Sequence, residues 1–89
     1  MQTIYNRSNI NLNYLNNYVK YILENNKVYL YNTLYSKELV INGDNSILKE
    51  LINNLKKGIN NDNLLKILYK LTDKPDMLFQ YLLQKFIIE

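Results

Sequence analysis

The side chains able to do acid–base or nucleophilic chemistry are few. The chain carries eight carboxylates, Glu24, Glu38, Asp44, Glu50, Asp62, Asp73, Asp76 and Glu89, and neither Cys nor His. Without Cys there is no disulfide framework, thiolate zinc site, iron–sulfur cluster or thiol nucleophile, and without His the usual imidazole base and metal ligand are missing. Two carboxylates flanking a bond can still act as acid and base, but the spacing here does not favour it. The carboxylates fall mostly at expected turns and helix starts, where capping and solvation account for them. Gly43 and Gly58, the two glycines, each follow an expected element boundary, so a phosphate-cradling loop has no support. The chain therefore reads as a binding protein rather than an enzyme, with no catalytic residue, metal or cofactor expected.

Tyr is the conspicuous surplus, with nine residues. Tyr14, Tyr18, Tyr21, Tyr29, Tyr31 and Tyr35 crowd one stretch, where their rings suit stacking on bases or anchoring a peptide. Tyr is equally a ready strand former that covers a small core, and that is the expectation for Tyr29 and Tyr31. The formal charge is +3, with Lys scattered rather than clustered, which permits phosphate binding without signalling it. A DNA-reading winged helix concentrates Arg and Lys on its recognition helix and wing, whereas the sole Arg here, Arg7, sits near the N-terminus.

At 89 residues the chain makes one small domain, burying about 60–65% of the surface of its unfolded chain and leaving little room for a deep pocket. No signal-peptide pattern and no apolar run near the roughly 18–20 residues of a membrane span is found. Cytoplasmic residence is expected.

The elements that must position any site follow from period and punctuation. Met1 to Asn17 is rich in Asn and holds no sustained period, and reads as a loosely ordered arm. Tyr18 to Leu23 and Val28 to Tyr31 are β-branched and aromatic, and Glu24-Asn25-Asn26-Lys27 between them supplies two Asn able to take positive φ in a hairpin. A helix over Tyr14 to Leu23 is the competing reading of the same spacing. Glu38 to Asn42 is a short third strand closed by Gly43-Asp44. From Ser46 the period becomes helical, with Ile47, Leu48, Leu51, Ile52 and Leu55 on one face, Asp44 or Asn45 as cap and Gly58 as stop. A second helix runs from about Asp62 to Thr72, capped by Asn60 or Asn61. A third starts at Pro75 and Asp76 with the arc Leu78, Phe79, Leu82, Leu83 and Phe86, before a strand-like Phe86–Glu89. Three strands followed by three helices give a winged-helix-like α+β domain, with a small three-stranded antiparallel sheet beside a helical trio.

The third strand is the feature that bears on function. An edge strand presents unpaired N–H and C=O groups as a template for another strand, and proteins normally blunt such an edge unless it is used. Only Glu38, at its start, protects this one. The third helix offers Met77, Tyr81 and Lys85 beside it, lining a groove with apolar walls and one cation.

From about Asn17 to Glu89, the run YVKYILENNKVYLYNTLYSKELVINGDNSILKELINNLKKG, a second helix and the closing DMLFQYLLQKFIIE resemble the RiPP recognition element. This is the PqqD-like domain that binds leader peptides of ribosomally synthesised, post-translationally modified peptides. The specific echo is NNKVYLYNTLYSKEL, similar to the opening hairpin of the recognition domains of radical SAM peptide maturases; the aromatic strand ending in Tyr-Asn is here Tyr29, Leu30, Tyr31 and Asn32. The resemblance implies a leader peptide added antiparallel to the third strand, at Glu38, Leu39, Val40, Ile41 and Asn42, with its side chains in a groove formed by Met77, Leu78, Tyr81, Leu82 and Lys85. Lacking Cys, the chain holds no radical SAM cluster, so a separate peptide-modifying enzyme, such as a radical SAM maturase, would do the chemistry. The alternative reading is a winged-helix nucleic-acid-binding regulator.

Overall fold

The structure is a computed structural model that describes residues 11–89. Among these residues five short strands and three helices follow one another as β1 (Leu12–Asn13), β2 (Val19–Glu24), β3 (Lys27–Asn32), β4 (Lys37–Asn42), α1 (Asn45–Lys57), β5 (Ile59–Asn60), α2 (Asn61–Tyr69) and α3 (Pro75–Gln84). The expected α+β architecture is present: β2, β3 and β4 form an antiparallel sheet in that order, beside the three helices. Asn25 and Asn26 both take positive φ, 54° and 58°, as a two-residue type I′ hairpin requires. The helix considered over Tyr14 to Leu23 does not form.

The helices begin where their caps dictate. The Asp44 side chain accepts from the Ser46 N–H at the start of α1, and Asn60 accepts from Asn63 at the start of α2. The second helix ends at Tyr69, three residues before the expected Thr72, because the chain turns at Lys70 and Leu71, whose N–H groups bond to the Ile67 and Leu68 carbonyls. Gly58 ends α1 at φ 98°, where a Cβ would also meet the Tyr14 ring; only Gly serves both conditions.

Val28, Leu30, Leu48, Leu51, Leu55, Leu64, Leu68, Leu82 and Ile87 fill the core between the inner sheet face and the helices. Burying each such side chain contributes about 1.5–3 kcal/mol. Two Asn residues share the interior. Asn13 donates to the Ile59 carbonyl and to Asn61. Asn32, fully buried, donates to the Phe86 carbonyl at 2.8 Å while its side-chain oxygen accepts the N–H groups of Leu34 and Tyr35. It thereby fixes the β3–β4 turn to the C-terminal tail.

Three expectations need correction. The arm expected over Met1–Asn17 lies outside the described residues up to Ile10, but its remainder is tied in. β1 pairs with β5, Leu15 bridges Ile88, and Tyr14 exchanges backbone hydrogen bonds with Glu89. Tyr29 and Tyr31, expected to cover the core, point to the exposed sheet face, because Val28, Leu30 and Asn32 take the inner positions of the alternation. Leu83 and Phe86, expected on the inward arc of the third helix, are exposed; Phe86 lies beyond the helix at φ 56°, with its ring centroid 4.7 Å from that of Tyr35. Among the described residues no helix is long and apolar enough to cross a membrane.

Candidate functional site

The direction in which each β4 backbone group points follows from the hairpin. In a two-residue turn the residues flanking it form a hydrogen-bonded pair, so in β2 and β3 the pairs Glu24 with Lys27, Ile22 with Tyr29 and Lys20 with Tyr31 bond to each other. The bond from the Thr33 N–H to the Tyr18 carbonyl continues this parity. Val28, Leu30 and Asn32 must then turn their N–H and C=O groups toward β4, where their partners are Ile41, Leu39 and Lys37. The Gly43 N–H bonding to the Asn26 carbonyl agrees. Glu38, Val40 and Asn42 are left with backbone groups aimed away from the sheet, and among the described residues no other backbone group bonds to them.

Beside this edge lies an open groove of about 440 Å³, lined by Leu39, Val40, Ile41 and Asn42 on the strand side and by Leu71, Thr72, Lys74, Met77, Leu78 and Tyr81 opposite. Gly43 admits the close approach of Leu71, whose side chain a Cβ would meet; this places the α2–α3 connection at the Asn42 end. At the other end Phe86, just past α3, touches Asn32 and Tyr35. The helix therefore runs antiparallel to β4. The Lys74 N–H bonds to Thr72 Oγ1 at 3.1 Å, and Lys74 precedes Pro75, which disfavours the helical region for it; its φ is −127°. Among the described residues Lys74 is the one charged side chain lining the groove.

The structure brings Leu39, Val40, Ile41, Asn42, Met77, Leu78 and Tyr81 of the expected site together in this groove. Three others stand apart. Glu38 offers the edge its backbone but does not line the groove. Leu82 has no exposed surface and belongs to the core, because it sits at the centre of the α3 arc whereas Tyr81 sits on its flank. Lys85 is the half-buried C-cap residue of α3, its N–H directed to the Tyr81 and Leu83 carbonyls. The groove's cation is thus Lys74 rather than Lys85. Leu71, Thr72 and Lys74 were missed by the sequence reading, although the helix break before Pro75 marked the connection that carries them.

Just past the edge, the Asp44 carboxyl is held below the usual carboxylate range, chiefly by the Ser46 hydroxyl and then by the Ser46 N–H. Among the described residues no group of three or more acidic side chains is placed to hold a metal ion. The arrangement offers strand addition on one wall and apolar contacts with one positive charge on the other. No protein-family model, curated protein or solved structure matches the chain.

Proposed function

We propose that this protein is a peptide-recognition module. It binds the leader peptide of a ribosomally synthesised precursor by antiparallel strand addition to β4 and presents it, as a peptide chaperone in the cytoplasm, to a separate modifying enzyme such as a radical SAM maturase. It needs no cofactor and performs no chemistry itself. The observation that carries this reading is the open β4 edge facing an apolar groove, the arrangement that β-augmentation uses: main-chain bonds give affinity and alternate side chains give specificity. The favoured leader is an extended segment with apolar residues at alternate positions and an acidic residue placed to meet Lys74. The nucleic-acid alternative is less well supported, since α3 carries neither Arg nor Lys between its two caps, Lys74 and the half-buried Lys85.

The test is a fluorescence-polarisation titration with the labelled leader of a precursor peptide encoded beside this gene. Saturable binding is expected, in the transient range for an interface below about 1,200 Å². Binding to duplex DNA without binding to such a leader would overturn the reading.

A further inference from the structure

The β4 edge is self-complementary, a property that peptide binding does not require. When two copies of a strand pair antiparallel about a two-fold axis, residue numbers across the seam add to a constant. The bonds are made only where outward-facing residues meet. With the axis through Val40, Val40 meets Val40 of the second copy and Glu38 meets Asn42 of the second copy, so every outward residue of β4 is used. Shifting the axis by one residue either way pairs an outward residue with Ser36, which lies in the turn at φ 57°, or with Asp44, the helix cap. Moving it to Glu38 sets like charges face to face, which is unfavourable.

The side chains of this register agree with its backbone. Ile22, Tyr29 and Val40 are neighbours across the exposed sheet face and all are exposed, Ile22 by 60%. Pairing through Val40 joins this apolar row end to end with its copy. The next row, Lys20, Tyr31 and Glu38, continues into Asn42, Lys27 and Glu24 of the second copy. Glu38 thus faces a neutral amide with a cation one strand beyond, and no like charges oppose each other. On the other side of the sheet Met77 and Tyr81, exposed on the flank of α3, border the seam.

We infer that the protein forms a two-fold dimer by β4–β4 pairing centred on Val40. About six inter-chain hydrogen bonds form from the three hydrogen-bonded pairs. The area of one strand pair with its flanking side chains, below about 1,200 Å², makes a weak, concentration-dependent dimer rather than a permanent one. The inference does not rest on the peptide-binding reading, although a second copy seated here closes the edge to a peptide.

The chain has no cysteine, so single cysteines report register cleanly. Across a hydrogen-bonded antiparallel pair the Cα atoms lie about 5.5 Å apart, within disulfide range. Two copies of position 38 would instead stand about 13 Å apart along the seam. Sedimentation equilibrium of the unmodified protein is expected to show the mass rising toward twice that of one chain as concentration increases. Under mild oxidation, Val40→Cys should give a covalent dimer on a non-reducing gel. Glu38→Cys and Asn42→Cys should give none alone but should cross-link when mixed. A single-chain mass at every concentration, or equal cross-linking at all three positions, overturns the proposal.

Discussion

The two outer strands of the three-stranded sheet meet solvent in different ways. On β2 the outward N–H of Val19 is taken by the Asn16 carbonyl, α1 packs alongside, and Lys56 donates to the Tyr21 hydroxyl at 2.8 Å with its charge 5.0 Å from the ring centroid. A cation held against an edge is a known way of discouraging further strands. On β4 the outward groups of Glu38, Val40 and Asn42 have no such cover among the described residues, and α3 faces the strand across a groove. The domain covers part of one edge with the Asn16 carbonyl, α1 and Lys56 and leaves the other as a template, so the openness of β4 is a local property rather than a general cost of a small sheet.

The largest expected effect concerns the joint that anchors the open side. Asn32→Leu leaves the Leu34 and Tyr35 N–H groups and the Phe86 carbonyl without their partner, and should cost about 3 kcal/mol of stability, since each buried group left unpaired costs about 1–3 kcal/mol. Urea denaturation measures the loss. Hydrogen exchange should locate it on β4 and the tail before β2, and uniform loosening would remove the distinction between the edges.

Breaking the comparison directly needs one substitution on each edge. Val40→Pro removes an outward N–H and no bond to β3, so the domain should stay folded by circular dichroism while leader affinity falls at least tenfold, about 1.4 kcal/mol. Tyr21→Pro, likewise outward on β2, should leave that affinity within about twofold. If Tyr21→Pro carries the larger loss, the assignment of the two edges is reversed.

Charge sharpens the same contrast more gently. Lys74→Glu should weaken an acidic leader about three- to fivefold at low ionic strength and less at high, because exposed pairs are screened within about 8–10 Å at physiological salt. Lys56→Glu, on the closed edge, and Lys85→Glu, at the helix cap, should change it less. Equal losses at all three lysines would mean that the protein's overall charge, and not the groove, steers binding.

The smallest effect lies just beyond the open strand. The Asp44 pKa is lowered below its usual 3.8, so its contribution to the start of α1 is fully present above that value and is lost as pH falls through the folded-state value. Melting curves of the wild type and Asp44→Asn should therefore differ at pH 5 and converge toward pH 2. A constant difference would mean that the carboxylate charge does not carry the cap.

Much of this was legible in the sequence because its causes are local. The Asn25-Asn26 turn, the Asp44 cap, the Gly58 stop and the Pro75 start each act within a few residues, and the structure places all four where expected. The sheet face was less legible: Val28-Tyr29-Leu30-Tyr31-Asn32 is apolar on both faces until its last residue, and that residue, a buried Asn, points the wrong way. β1 and β5 are too short for any period, and they exist because distant segments meet, Asn13 with Ile59 and Asn61. In the groove the strand side was legible from the edge argument. The choice among Tyr81, Leu82 and Lys85 was not, because a helix arc read from spacing alone has no fixed edge.

The meeting of Tyr14, Leu15 and Asn16 with Glu89, Ile88 and Ile87 also bears on the order of folding events. The β2–β3–β4 hairpins and the helices are made of near neighbours and can form early, whereas this zipper joins the two ends of the described chain, the kind of contact that slows folding. Ile87 and Ile88 are core residues, and the Phe86 carbonyl occupies Asn32. During synthesis the domain should therefore remain incompletely packed until these residues leave the ribosome, and the turn that starts the open strand should be among the last parts to settle.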